Sequence, residues 1–158
     1  MEIDVKIDNS LVKELEKDLE YLDSVTVEYG YFEGDLHQSS GYTTPEIARW
    51  NNDGVKAKDG SIHIPSRPFL DNAHIITGND IPEFNAIMQD SLIFGGKRQI
   101  QVGLKIVGDK TADNIRESID MQNFAPLSPS TIVKKGNDVI LIEDWELYEK
   151  GSYRLIRN

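Results

Sequence analysis

The chain of 158 residues contains no cysteine. That absence excludes a disulfide framework and any thiolate zinc site. It also lacks an uninterrupted apolar run of the roughly 18 residues that mark a membrane helix. Its first residues alternate acidic with apolar, unlike the basic-then-apolar pattern of a signal peptide. The expectation is a soluble chain, made in the cytoplasm, with no membrane partner. Positive charge is scarce: 17 Lys and Arg face 27 Asp and Glu, a net charge of −10. A dedicated nucleic-acid binder needs clustered cations to displace counterions from phosphates. Here the basic clusters are small: Lys97-Arg98, Lys134-Lys135, and Arg154 with Arg157. An acidic surface suits a different relation to DNA, in which the polymer slides past without adhering.

The usual signatures of chemistry are missing as well. No Gly-x-x-x-x-Gly-Lys phosphate loop and no Gly-x-Ser-x-Gly elbow occurs, and Gly95-Gly96-Lys97 lacks both the strand before it and the hydroxyl after it. His37, His63 and His74 form no His-x-x-x-His pair, so ordinary hydrogen-bonded or solvent-facing histidines are expected. Asn51-Asn52-Asp53-Gly54 and Asn79-Asp80 lack the twelve-residue calcium pattern and read as helix-ending turns. Glu143 and Asp144 read as a solvated turn. No catalytic residue, metal site or cofactor is expected.

What is present is one domain's worth of alternating elements, residues 1–158 as a single unit. Hydrophobic residues are 39% of the chain, a modest share that fits a core partly shared with other subunits. Residues 2–8 alternate as a strand. Leu11, Leu15, Leu19 and Leu22 then recur at helical spacing, and this stripe is expected to pack on the sheet. Residues 24–32 alternate again, and 33–42 read as a loop. Thr43-Thr44-Pro45-Glu46 starts a helix that stops at Gly54. Residues 55–64 read as a hairpin centred on Asp59-Gly60. The 33–42 loop and the 55–64 hairpin are polar and glycine-containing, and are expected to be arms that order on assembly. Helices follow to Gly78 and from Asp80 to Gly95. Ile100, Leu104, Val107, Thr111, Ile115 and Ile119 predict one long helix over 97–121, with a strand over 99–107 as the alternative because Gly103 and Gly108 weaken a helix. A short helix from Ser128 to Gly136, a strand over 139–142 and a last strand over 148–156 complete the pattern. The fold class is therefore α+β, a small mixed or antiparallel sheet packed against several helices.

The most informative stretch is Ile62-His63-Ile64-Pro65-Ser66-Arg67-Pro68-Phe69-Leu70. Pro68 restricts Arg67 to extended geometry, so the guanidinium sits on a stiff backbone suited to a bidentate carboxylate contact. Two roles are open for Arg67: an internal salt bridge, or an exposed side chain reaching an acidic partner across a subunit boundary. Pro65, Pro68 and Arg67 are candidate interface residues, and Phe69 is expected to anchor the turn in the core.

About sixty residues on come Phe124-Ala125-Pro126-Leu127-Ser128-Pro129-Ser130-Thr131-Ile132 and then Leu141-Ile142-Glu143-Asp144. These three pieces, in this order, resemble the virion-morphogenesis or tail-completion family of tailed bacteriophages. That family is similar in having a helix with an Ile-Ala pair and a later Asn before a Gly, here Ile47-Ala48, Asn51 and Gly54. A Pro-x-Arg-Pro-Phe turn follows, here Pro65 to Phe69. Next come a Pro-Leu-Ser-Pro-Ser-Thr-Ile segment with a Lys, here Pro126 to Ile132 with Lys135, a Leu-Ile-Asp-Thr-Gly-x-Leu segment, here Leu141 to Leu147, and a final Tyr-containing strand, here with Tyr153. The likeness covers about residues 25–156. The chain departs from the pattern at Asn52, where Glu is usual, at Asp53, where an apolar residue is usual, and at Asp144-Trp145, which replaces Thr-Gly. Trp145 becomes a further candidate interface residue, and Leu127 and Ile132 candidate structural anchors. The resemblance implies a non-enzymatic virion protein at the neck or head-proximal end of the tail. It implies a ring of identical subunits, expected as a hexamer, with neck and tail proteins as neighbours and DNA passing non-specifically through the lumen. A head–tail connector stopper or other phage assembly role is the alternative within that class; a small hydrolase or binding domain is the alternative outside it.

Overall fold

The fold is built along one long helix, α5 (Gly96–Asp120). The computed structural model describes residues 9–33, 36, 40–93, 95–143 and 145–158. The expected strand over 2–8, part of the 33–42 loop, His37 and Asp144 lie outside the described residues. The apolar stripe explains why α5 is a helix: Ile100, Leu104, Val107, Thr111, Ile115 and Ile119 are all buried on it. Gly108 is buried too, and its missing side chain has a use. A Cβ there would overlap the ring of Tyr153, so the glycine lets a strand lie directly on the helix backbone.

That strand is β4 (Ser152–Arg157), which pairs antiparallel with β1 (Val25–Gly30), from Val25 opposite Arg157 to Gly30 opposite Ser152. A second antiparallel pair, β2 (Val55–Lys56) with β3 (Ile62–Ile64), closes the expected hairpin, and Gly60 near its tip takes a positive φ. The fold class is thus α+β with antiparallel pairing, as expected. The sheet differs in detail. Segments 24–32 and 55–64 do not share one sheet; they form separate two-stranded pairs, and the partner of β1 is the last strand of the chain.

Around α5 pack α3 (Phe69–Asn79), α4 (Ile81–Ile93) and, less extensively, α1 (Ser10–Asp23). The main core joins Phe69 and Ala73 of α3, Ile115 and Ile119 of α5, and Ala48 of α2 (Thr44–Asp53). Ile142 and Leu147 complete it, the latter on α7 (Glu146–Lys150). Phe69 is fully buried, meets Tyr31 edge-on at 6.1 Å between ring centroids, and its carbonyl accepts a hydrogen bond from Ser118 Oγ at 2.7 Å.

Three expectations are corrected. The 139–142 run is not a strand. Ile140 and Ile142 are buried, but Gln122 at the end of α5 replaces the ladder: its Oε1 accepts from Ile140 N at 2.7 Å, and its Nε2 donates to Ile140 O at 3.0 Å. The tail is helical over α7 before β4 begins, so the last strand starts later than alternation suggests. The leucine stripe of α1 does not fill the core. No residue of α1 is buried, and Leu11, Leu15 and Leu19 are 77%, 46% and 46% exposed. The β1–β4 pair lies on α5 instead, and α1 rests at the edge of α5, α4 and β1, with the Tyr21 hydroxyl accepting from Gln101 Nε2 at 3.2 Å. Leu15→Asp is therefore expected to shift unfolding free energy by no more than about 1 kcal/mol, as chemical denaturation would read. A larger loss would place Leu15 inside the core after all.

The start of α2 carries both halves of a capping box. Glu46 N donates to Thr43 Oγ1 at 3.4 Å, and Glu46 Oε2 accepts from Thr43 N at 2.9 Å. The Thr43 hydroxyl also donates to Glu46 Oε2 at 2.7 Å, and this bond, followed by the one from Thr43 N, holds the Glu46 carboxylate below its ordinary pKa. Thr43→Ala is expected to lower stability by about 1 kcal/mol. No change in the denaturation midpoint would contradict the cap.

A candidate interaction cleft at Arg67

The turn between β3 and α3 is stitched to the end of α2. Arg67 N donates to Asn51 O at 2.7 Å, and Ser66 Oγ donates to Asn52 O at 2.7 Å. Pro68, at φ −75° and ψ 57°, forms a tight three-residue turn in which Phe69 N donates to Arg67 O at 2.7 Å. The first turn of α3 has no cap of its own. Asn52 supplies one from α2: its Oδ1 accepts from Leu70 N at 2.9 Å. Asn52 is buried, and its Nδ2 donates to Asp53 and Asp71 at 3.0 and 3.3 Å. Nothing in sequence spacing marks Asn52 as this clamp, because its partner lies 18 residues away.

Stitching the turn this tightly buries Arg67, which is only 6% exposed. This corrects the exposed side chain expected from sequence. The internal salt bridge is not formed either. Arg67 Nε donates to the carbonyl of Ala125 at 3.2 Å, in the segment leading to α6 (Pro129–Lys135). No carboxylate among the described residues lies within ion-pair distance of its guanidinium. Burial lowers the pKa of Arg67, with no neighbouring charge to offset it; an arginine nonetheless keeps its proton. The side chain is thus a desolvated cation holding a backbone carbonyl, an arrangement that a further acceptor would improve.

Arg67 lines a cleft of about 670 Å³. Its apolar walls come from Ile47, Trp50, Leu127, Leu141 and Leu147, and His63 and Lys134 add polar and basic groups at the lining. Tyr42 packs edge-on against Trp50 at 4.9 Å between centroids, which steadies that wall. Pro65 and Leu127 line the cleft, whereas Pro68 and Ile132 are half-buried outside its lining. Trp145 is 53% exposed, with φ at +66°, and packs on Tyr148 at 5.6 Å rather than lining the cleft. Of the candidate anchors, Phe69 is fully buried, while Leu127 and Ile132 are half-buried.

Elsewhere, His74 Nδ1 lies 3.0 Å from Tyr29 Oη. Among the described residues, no group of three His, Asp or Glu side chains converges as a metal site would require. No described helix is long and apolar enough to cross a membrane. Comparison of the chain with family models, curated proteins and solved structures gives no match.

Proposed function

We propose that this chain is a structural component of a tailed-phage virion. It acts at the neck or head-proximal end of the tail, as a ring of identical copies that completes or terminates the tail and joins it to the head. The supporting observation is the Arg67 cleft. The Pro-x-Arg-Pro-Phe turn at the centre of the family resemblance holds a buried cation with no ion-paired carboxylate among the described residues, in a wall of an open cleft that mixes apolar and polar side chains. Such a group suits completion by another protein surface, because a desolvated cation gains most from a partner that is itself desolvated. The exposed leucines of α1 add a second apolar face to the same chain. Two unlike faces on one subunit are what a heterologous ring contact needs. The net charge of −10 suits a lumen through which DNA passes without adhering.

Light scattering on size-separated protein tests the assembly, with negative-stain images of the largest species. The expected result is a ring, hexameric in size, whose share grows with concentration. A strict monomer at every concentration contradicts the reading.

A further inference from the structure

We propose that the exposed side of α1 bearing Val12, Leu15, Glu16 and Leu19, which borders the grooves α1 forms with α4 and β1, docks on one copy into the Arg67 cleft of the next, with the Glu16 carboxylate paired to the Arg67 guanidinium. This rests on the assembly reading above and deepens it by naming the two faces that meet.

Val12, Leu15, Glu16 and Leu19 follow the i, i+3, i+4, i+7 spacing by which one helix face fills a groove. Val12, Leu15 and Leu19 are 55%, 46% and 46% exposed. Their companion Glu16 is exposed on the same side of the helix. The face is therefore apolar with one carboxylate set among the aliphatic side chains. The cleft can complement it: Ile47, Trp50, Leu127, Leu141 and Leu147 give apolar walls, and the buried Arg67 shares a partly polar lining with Lys134, Lys135 and Glu143. Glu143 forms no ion pair with Arg67, so the guanidinium is not neutralised from within. At about 670 Å³ the recess holds a few side chains rather than a whole helix, which fits a helix lying across the opening with its anchors pointing in.

The chemistry explains why both features persist on one chain. A leucine face costs little while it is half-exposed, and a buried guanidinium bonded to a carbonyl is tolerated. Each improves when the other arrives, since the aliphatic groups leave water and the charge pair forms where water is excluded. Because the faces differ, each copy donates α1 to one neighbour and receives it from the other, and the contact propagates around an axis. An acidic residue inserted into a basic cleft also fixes orientation: two clefts, or two α1 faces, repel when brought together.

Sedimentation velocity over a concentration series tests this on the full chain. Glu16→Lys lies on an exposed helix face and leaves the fold intact by circular dichroism. It is expected to weaken self-association by roughly thirtyfold or more, the scale for breaking one partner of a desolvated charge pair. Arg67→Met keeps the stem, removes the charge and is expected to match it. Unaltered association of Glu16→Lys, beside a wild-type chain that assembles, overturns the pairing and leaves the assembly reading standing. Loss with Arg67→Met but not with Glu16→Lys puts a different carboxylate in the cleft and equally overturns the role of α1. A wild-type chain that never associates overturns both.

Discussion

Replacing Phe69 by Ala is expected to lower the unfolding free energy by roughly 3–5 kcal/mol, the range for deleting a fully buried aromatic ring. The ring is 0% exposed and sits where Ala48, Ala73, Ile115 and Ile119 converge. It is also the first residue of α3, directly after the Arg67 turn, so there is little room for the backbone to collapse into the void. The turn is tied to α2 by Asn51 and Asn52, and the Phe69 carbonyl is tied to Ser118. Phe69→Leu keeps most of the volume and is expected to lose about 1–2 kcal/mol. Denaturant midpoints at constant slope distinguish the two variants. A Phe69→Ala loss below about 1 kcal/mol would mean that the core is organised around other residues.

Gly54→Val is expected to cost a comparable amount, roughly 2–6 kcal/mol, from two independent sources. Gly54 has φ +77° and ψ 163°, a region only glycine occupies readily, and forcing a branched residue there costs about 1–3 kcal/mol. In addition, a Cβ at this position would lie 2.8 Å from Ser66 N and 2.9 Å from Ile64 O, both backbone atoms of the Arg67 turn. Neither can rotate away, so an overpacking cost of about 1–3 kcal/mol follows. Gly60 in the hairpin is the control. It too has a positive φ, +85°, but a Cβ there meets nothing within 4 Å. Gly60→Val is expected to lose only the conformational share. Equal losses in thermal or chemical unfolding for the two variants would show that the close approach of α2 to the turn carries no energetic weight.

Much of the architecture was legible because it is local. The stripe from Ile100 to Ile119 outweighed two glycines and predicts α5 correctly, since six buried apolar or hydroxyl side chains at helical spacing have no equivalent in a strand. The box at Thr43 and Glu46 and the turn at Asp59-Gly60 are equally short-range. The errors are non-local. A leucine stripe reads the same whether its own chain or another covers it, so α1 was placed in the core. Ile140 and Ile142 are apolar enough for a strand, but the fold satisfies Ile140 with the side chain of Gln122. The candidate cleft was half-legible. The two prolines marked a stiff turn and a special arginine. Its burial depends on Ala125, 58 residues away, and on Asn51 and Asn52, whose role no spacing rule reveals. Trp145, singled out from motif position, and Pro68, singled out because it stiffens the turn, lie outside the cleft lining.

The most direct measurement is electron microscopy, with an antibody or a small tag on the exposed 55–64 hairpin, of any particles produced from the genome that encodes this chain. The predicted result is label at the head-proximal end of the tail, with unjoined heads and tails accumulating when the gene is disrupted. Fully joined, infectious particles that lack the chain would contradict the proposed role.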